Sequence, residues 1–225
     1  MKYVVLFAVV LSIGCGKPEE PAASSAAPVS PQAPKAPQAP QAPRIVFLGD
    51  SLTAGLGLAT DQSFPSLIGK KLKERGLDYD VINAGVSGDT SAGGLRRLDW
   101  SLEGDVRVLI VALGGNDALR GLAPRELKKN LSTILDRARD RKIAVILAGM
   151  EAPPNNGVDY TREFRSVYSE LASEYKVRLI PFLLQGVAGD ASLNQADGIH
   201  PNVRGAEIVA DLVWKELEPA LRRPN

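Results

Sequence analysis

The strongest constraint on the fold is a six-residue run without a polar side chain, Val108-Leu109-Ile110-Val111-Ala112-Leu113. A strand with one solvent-facing side alternates apolar and polar residues, whereas this run is apolar at every position. The run therefore predicts a central strand that is buried on both faces. Such strands belong to parallel sheets that are covered by helices on both sides.

Strand and helix signals alternate along the chain from Arg44 onward. Strands are predicted at 45–48, 79–82, 106–113, 144–147 and 177–180. Apolar residues recur at helical spacing in four intervening segments: Phe64, Leu67, Ile68 and Leu72; Leu127, Leu131, Ile134, Leu135 and Ala138; Phe164, Val167, Tyr168, Leu171 and Tyr175; and Val209, Leu212, Val213 and Leu217. Strands that alternate with crossover helices predict an α/β domain with a mostly parallel sheet. We assign residues 44–225 to this one domain, which is long enough to bury a sizeable core.

Polar and glycine residues follow three of the predicted strands. Asp50 and Ser51 follow the first strand, segment 83–90 follows the second, and Gly114-Gly115-Asn116-Asp117 follows the third. Ligands of α/β sheets bind at the carboxyl ends of the strands, so Ser51 is a candidate nucleophile. A helix N-cap or a turn residue is the ordinary alternative for a serine at this position. The glycine spacing fits neither a P-loop nor a dinucleotide fingerprint.

The single histidine of the chain, His200, lies three residues after Asp197 in a loop marked by glycine and proline. An acid at that distance can accept the Nδ1 proton of the imidazole, which leaves Nε2 free to take a proton from a serine hydroxyl. A backbone N–H near Gly88 and the side-chain amide of Asn116 could point at one oxygen atom beside Ser51. One histidine and one distant cysteine do not form a metal-ligand cluster, so we expect no metal.

Taken together, these segments resemble the four sequence blocks of the SGNH (GDSL) hydrolase family, and especially its bacterial thioesterase I, lysophospholipase and arylesterase group. The blocks are Gly49-Asp50-Ser51-Leu52, Gly88, Gly114-Gly115-Asn116-Asp117 and Asp197-Gly198-Ile199-His200-Pro201. The resemblance implies a flavodoxin-like three-layer α/β/α sandwich around five parallel strands. It also implies hydrolysis of esters and thioesters through an acyl-enzyme, without a metal or another cofactor.

The resemblance further assigns residue roles. Ser51 is the implied nucleophile, His200 the base and Asp197 the group that orients the base. The Ser51 and Gly88 N–H groups and the Asn116 side chain form the implied oxyanion hole. A substrate loop after the fourth strand, which we expect to form a wall of the acyl site, contains Glu151, Pro153, Pro154, Asn155 and Tyr160.

The amino-terminal 43 residues differ in composition from the domain. Residues 1–15 combine Lys2, a short apolar run and Cys15, which resembles a signal peptide that ends in a lipoprotein lipobox. The match departs from the motif at Ser12, where leucine is usual. The apolar run is shorter than the roughly 20 residues of a membrane span. An ordinary cleaved signal peptide is the alternative to lipidation of Cys15.

Segment 16–43 holds eight of the sixteen prolines and few large apolar residues, so we expect a disordered linker. The resulting expectation is an exported bacterial protein that a lipid anchor holds in the cell envelope, facing the periplasm. The 27 basic and 26 acidic residues are interspersed, which gives no support for nucleic-acid binding. We expect a monomer that acts on a small-molecule ester or thioester.

Two alternatives of other classes remain open at this stage. One is an acyltransferase on the same scaffold that uses sugars of the cell envelope as acceptors. The other is a non-catalytic envelope protein that keeps the blocks only as architecture. Activity of the purified domain on a chromogenic ester separates hydrolysis from the second alternative, and a sugar acceptor assay separates it from the first.

Overall fold

The computed structural model describes residues 42–222. The predicted signal peptide, Cys15 and all but the last two residues of the predicted linker lie outside this range. The described part contains five strands, which are β1 (Arg44–Gly49), β2 (Asp80–Gly85), β3 (Val106–Ala112), β4 (Ala144–Ala148) and β5 (Arg178–Ile180). All neighbouring strands are parallel, in the order β2-β1-β3-β4-β5.

This strand order confirms the predicted flavodoxin-like sheet. Residues 108–112 of the apolar run lie in β3, the strand in the centre between β1 and β4, and the segment Leu109–Val111 is fully buried. The order reverses between β1 and β3, because the chain goes outward from β1 to β2 and then returns to the other side of β1. The carboxyl ends of β1 and β3 consequently border the crevice in which such sheets bind ligands.

Eight α-helices occur in the described range. They are α1 (Ser51–Ala54), α2 (Phe64–Glu74), α3 (Ser91–Arg96), α4 (Leu98–Ser101), α5 (Gly115–Leu119), α6 (Pro124–Asp140), α7 (Val158–Tyr175) and α8 (Val203–Leu221). The four predicted stripes form α2, α6, α7 and α8, and their apolar residues face the core. Helix α2 packs against α8, whereas α6 packs against α3 and α7, so two helical layers cover the sheet. None of the helices in residues 42–222 is long and apolar enough to cross a membrane.

The carboxyl end of β2 differs from the prediction. Residues 83–85 were expected in the loop after the strand, but they continue β2 and pair with Phe47, Leu48 and Gly49 of β1. Asn83 fits a strand because its side-chain amide donates to the carbonyl of Thr53 at 2.9 Å. The loop that contains Gly88 is therefore shorter, and it begins directly beside the carboxyl end of β1.

Candidate active site

The carboxyl edge of the sheet brings together the side chains that the sequence singled out. Ser51 begins α1 one residue after Asp50, which follows the last residue of β1. Gly88 lies in the loop after β2, and Asn116 lies in the first turn of α5 after β3. Since β1 is flanked by β2 and β3, three neighbouring strands deliver these residues to one place.

Ser51, His200 and Asp197 form a continuous chain of polar contacts. The Ser51 Oγ lies 2.8 Å from the Nε2 of His200, and the His200 Nδ1 lies 2.7 Å from the Oδ2 of Asp197. The other carboxylate oxygen of Asp197 accepts the backbone N–H groups of Ile199 and His200, at 2.9 and 3.0 Å. These backbone bonds, and after them the imidazole, lower the pKa of Asp197 to about 2. Asp197 is thus ionised at neutral pH and can hold the proton of the imidazole on Nδ1.

The loop that carries His200 is fixed from two sides. An isolated antiparallel bridge joins Asn194 to Pro201, and the N–H of Gln195 donates to the carbonyl of His200 at 2.7 Å. The side-chain amide of Gln195 also donates to the carbonyl of Leu56 at 2.7 Å, which ties this loop to the segment after α1. The imidazole is therefore held against the serine by contacts between the first and last parts of the described chain.

Two backbone N–H groups at the site are available to a ligand. Ser51 is the first residue of α1, so its N–H has no acceptor within the helix. Gly88 has φ +84°, and the carbonyl of Val86 accepts the N–H of Asp89 at 3.1 Å, which matches a type II turn with glycine at its third position. Within residues 42–222 the N–H of Gly88 has no acceptor.

Asn116 contributes a third donor, but both of its N–H groups have partners in this structure. Its Nδ2 donates to the carbonyl of Asp89 at 3.0 Å and to the Oδ2 of Asp50 at 3.3 Å. The contact with Asp50 is the longer one. An oxygen atom beside Ser51 would therefore compete with the carboxylate of Asp50 for one N–H of the amide.

Asp50 is a buried carboxyl beside the serine, with 3 % of its surface exposed. Burial raises its pKa to about 6, against smaller opposing contributions from the N–H of Leu52, the charge of His200 and other hydrogen bonds, including one from Asn116. Removing a charge from water is costly, and burial therefore favours the neutral acid. The residue belongs to the first sequence block, yet only the folded structure shows that it is a buried partner of Asn116.

The start of α5 is anchored by a second buried carboxyl, Asp117, for which the sequence predicted no separate role. The N–H and the hydroxyl of Ser91 donate to the two oxygens of Asp117, at 2.7 and 2.6 Å. Gly114, just before α5, has φ +117°, and a Cβ there would lie 2.0 Å from the hydroxyl of Tyr168. Only glycine fits this turn, which explains the first glycine of the pair that precedes Asn116.

A cavity of about 630 Å³ opens beside Ser51 and His200. Much of its lining is apolar, and these side chains come from several segments: Leu52, Leu56, Leu119, Met150, Ala152, Pro153, Phe182, Leu184, Ala188 and Ile199. The sequence did not indicate that Phe182, Leu184 and Ala188, which follow β5, line a cavity. Apolar residues after a strand are equally typical of a core.

The predicted substrate loop divides between the cavity and the outer surface. Glu151 and Pro153 line the cavity, whereas Pro154, Asn155 and Tyr160 are outside its lining. The Tyr160 hydroxyl donates to the carbonyl of Leu122 at 2.8 Å, and its ring stacks on Phe164 with centroids 6.0 Å apart. Tyr160 therefore holds the base of the loop against the segment after α5.

No group of three or more histidine, cysteine, aspartate or glutamate side chains within residues 42–222 is arranged to hold a metal ion. The arrangement offers instead a hydroxyl, an imidazole, an acid and hydrogen-bond donors beside an apolar cavity. These are the parts needed to transfer an acyl group to a serine.

Comparisons with known proteins agree with this chemistry. Residues 47–208 match the model of the GDSL-like lipase/acylhydrolase family. Esterase TesA of Pseudomonas aeruginosa is 44 % identical over 178 residues, which cover 79 % of this chain and 89 % of TesA. Thioesterase 1/protease 1/lysophospholipase L1 of Escherichia coli is 36 % identical over 80 % of this chain and 86 % of its own. The crystal structure of AlinE4, an SGNH-hydrolase family esterase, superposes with a TM-score of 0.67 at 42 % identity, covering 82 % of this chain and all of AlinE4.

Proposed function

This chain belongs to the GDSL-like lipase/acylhydrolase family and is a serine ester hydrolase, and we propose that it works through an acyl-enzyme on Ser51. The observation that carries the proposal is the continuous contact from Ser51 Oγ through the imidazole of His200 to the carboxylate of Asp197, at 2.8 and 2.7 Å. A serine hydroxyl is a weak nucleophile until an adjacent base takes its proton.

In the acylation step, the Ser51 Oγ attacks the carbonyl carbon of the ester while its proton passes to the Nε2 of His200. The carbonyl electron pair moves onto the oxygen and forms a tetrahedral oxyanion. Collapse of this intermediate breaks the bond to the leaving alcohol or thiol, which receives the proton from Nε2. Asp197 stabilises the imidazolium throughout and keeps its own charge.

The oxyanion is stabilised by the N–H groups of Ser51 and Gly88 and by the amide of Asn116. The 3.3 Å bond from Asn116 to Asp50 is the contact that the oxyanion replaces. In deacylation, a water molecule gives its proton to Nε2 and attacks the acyl carbon. Collapse of the second tetrahedral intermediate breaks the bond to the Ser51 oxygen, which leaves with that proton. The acyl group departs as a carboxylic acid, and the free enzyme is restored. All of these groups lie on one chain, and we propose that the enzyme acts as a monomer.

The substrates that we propose are carboxylic esters and thioesters with apolar acyl chains of short to medium length. The support is the apolar lining of the cavity. Glu151, a charged residue of that lining, has its carboxylate 2.9 Å from the guanidinium of Arg165. Each buried methylene contributes about 0.8 kcal/mol, so binding strengthens with chain length until the cavity is filled. Aryl esters, acyl thioesters and lysophospholipids meet this description where their acyl chains have this length.

We further propose that the enzyme is exported and anchored by a lipid on Cys15, facing the periplasm of a bacterial cell. The support is the amino-terminal sequence, in which a basic residue, a short apolar run and Cys15 precede the proline-rich segment 16–43. One acyl chain gives only marginal membrane binding, so stable anchoring requires more than one chain on the cysteine.

Ester hydrolysis by the purified chain tests the catalytic proposal. Ser51→Ala and His200→Ala should each abolish most hydrolysis of p-nitrophenyl butyrate while leaving the circular dichroism spectrum unchanged, and the double variant should be little worse than either. An alkyl fluorophosphonate should label the parent once, on Ser51. Ser169→Ala, which removes an exposed hydroxyl of α7, is the matched control. Near-parental activity of Ser51→Ala would reject the mechanism.

A further inference from the structure

Arg97 is a half-buried arginine whose guanidinium is occupied at all three nitrogens. It lies between α3 and α4, with 17 % of its side chain exposed. Its Nε donates to the Oδ2 of Asp89 at 2.6 Å, its Nη1 to the carbonyl of Ala84 at 2.6 Å and its Nη2 to the carbonyl of Gly49 at 2.7 Å. Bonds that a charged donor makes are stronger than neutral ones, and the planar fork fixes their directions.

The three acceptors belong to the segments that build the oxyanion hole. Gly49 is the last residue of β1 and lies two positions before Ser51, while Ala84 lies on β2 just before the turn with Gly88. Asp89 directly follows Gly88. One planar cation therefore sets the carboxyl ends of β1 and β2 and the Gly88 turn in a fixed relation.

Asp89 extends this connection to the third donor. Its carbonyl accepts the amide of Asn116 at 3.0 Å, while its carboxylate accepts Arg97. The other carboxylate oxygen lies over Gly93, where a Cβ would approach it to 2.5 Å, so helix α3 limits the movement of this side chain. A shift of Asp89 would consequently move both the Gly88 N–H and the support of the Asn116 amide.

We propose that Arg97 is a positioning residue that holds the Gly88 turn and the Asn116 amide at the distances from Ser51 that the developing oxyanion requires. The proposal rests on the function proposed above. Arg97 contacts none of the reacting atoms and acts through Gly49 and Asp89. Its effect should therefore fall on the transition state, where the oxyanion exists, rather than on binding of the uncharged ester.

A purely structural clamp across β1 and β2 would have a different signature. Losing such a clamp lowers the free energy of unfolding and the folded fraction, but each folded molecule keeps its kcat. Loss of a positioning residue instead lowers kcat per active site with little change in KM. Lysine keeps the charge of arginine but is a single point donor, so it cannot make the three directed bonds of the planar fork.

The test compares Arg97→Lys and Arg97→Ala with the parent, using p-nitrophenyl butyrate and titration of active sites by fluorophosphonate. We expect both variants to lose about 10- to 100-fold in kcat, with KM within about threefold, because small misplacements of catalytic groups cost up to about 10². Millimolar guanidinium should restore part of the kcat of Arg97→Ala. The reversible affinity of an alkyl trifluoromethyl ketone, which forms an oxyanion on the serine, should fall in parallel with kcat.

Two controls separate this role from general destabilisation. Arg137→Lys changes an exposed arginine that bonds Asp99 at 2.9 Å, and Ile134→Val trims the buried core of α6. Both should keep the parental kcat per titrated site, the second with a lower melting temperature. Unchanged kcat and ketone affinity in Arg97→Lys would overturn the proposal. So would a loss of total activity that comes with a lower melting temperature but leaves kcat per titrated site unchanged. An inactive parent would instead reject the proposed function.

Discussion

Asp50 makes the stability of the protein depend on pH at the level of one residue. Its pKa is about 6 in the folded protein, against an ordinary value of 3.8, because it is buried. Below about pH 4 the carboxyl is neutral in both states and its burial carries no charge penalty. As the pH rises from about 4 to about 6, the unfolded chain ionises first, and the folded state loses stability relative to it.

The comparison of the parent with Asp50→Asn measures this contribution. We expect the free energy of unfolding of the parent to fall relative to the variant by about 3 kcal/mol in total between about pH 3 and pH 7, mostly between pH 4 and pH 6, and to run parallel to it above about pH 7. Urea unfolding at several pH values gives the difference. A difference that is constant from pH 4 to pH 8 would show that the carboxyl titrates alike in both states.

The loop after β4 is the element that we expect to select the acyl chain. Pro153 lines the cavity, whereas its neighbour Pro154 begins a 3₁₀ segment outside the lining. Pro153→Ala should therefore change how kcat/KM depends on acyl length in a series of p-nitrophenyl esters, because it removes apolar surface from the wall. Pro154→Ala removes the same ring at the adjacent position and serves as the matched control. Identical chain-length profiles for the parent and Pro153→Ala would exclude this loop from the acyl site.

At the scale of elements, the pattern of apolar residues predicts the strands and helices that hydrophobic burial stabilises. The five strands lie within a few residues of their predicted bounds, and each predicted stripe lies within one of the four long helices, because each element presents a continuous apolar face or run to the core. The four short helices α1, α3, α4 and α5 were not predicted, since one or two turns do not establish a period. The sequence predicts a loop at residues 83–85 because Asn83 and Gly85 are typical turn residues, and only pairing with β1 makes them strand.

The candidate site shows the same division between local and long-range information. Ser51 and Asn116 could be proposed from residue type and position after strands, and His200 from its spacing to Asp197. The supporting residues could not, because their roles depend on partners distant in sequence. Arg97 donates to Gly49, 48 residues earlier, and Ser91 donates to Asp117, 26 residues later. No spacing rule connects such positions before the sheet is assembled.

At the scale of the whole molecule, the proposed membrane location depends on one atom outside the described residues, the Sγ of Cys15. If a lipid on this cysteine anchors the protein, Cys15→Ala should move the activity from the membrane fraction to the soluble fraction of bacterial cells that express the full chain. Metabolic labelling with a clickable fatty acid should mark the parent and not the variant. The Ser51→Ala protein should fractionate with the parent, since anchoring does not need catalysis. Equal membrane association of Cys15→Ala and the parent would remove the proposed anchor.

The distance along the chain between the serine and its base has a consequence for biosynthesis. Ser51 and His200 are 149 residues apart, and His200 lies just before α8, which must pack against α2 to complete one layer of the sandwich. A ribosome therefore releases the proposed nucleophile long before it has made the group that activates it. If both groups are needed, as proposed, we expect the nascent chain to be inert toward acyl esters and thioesters until His200 and the last helix have been made.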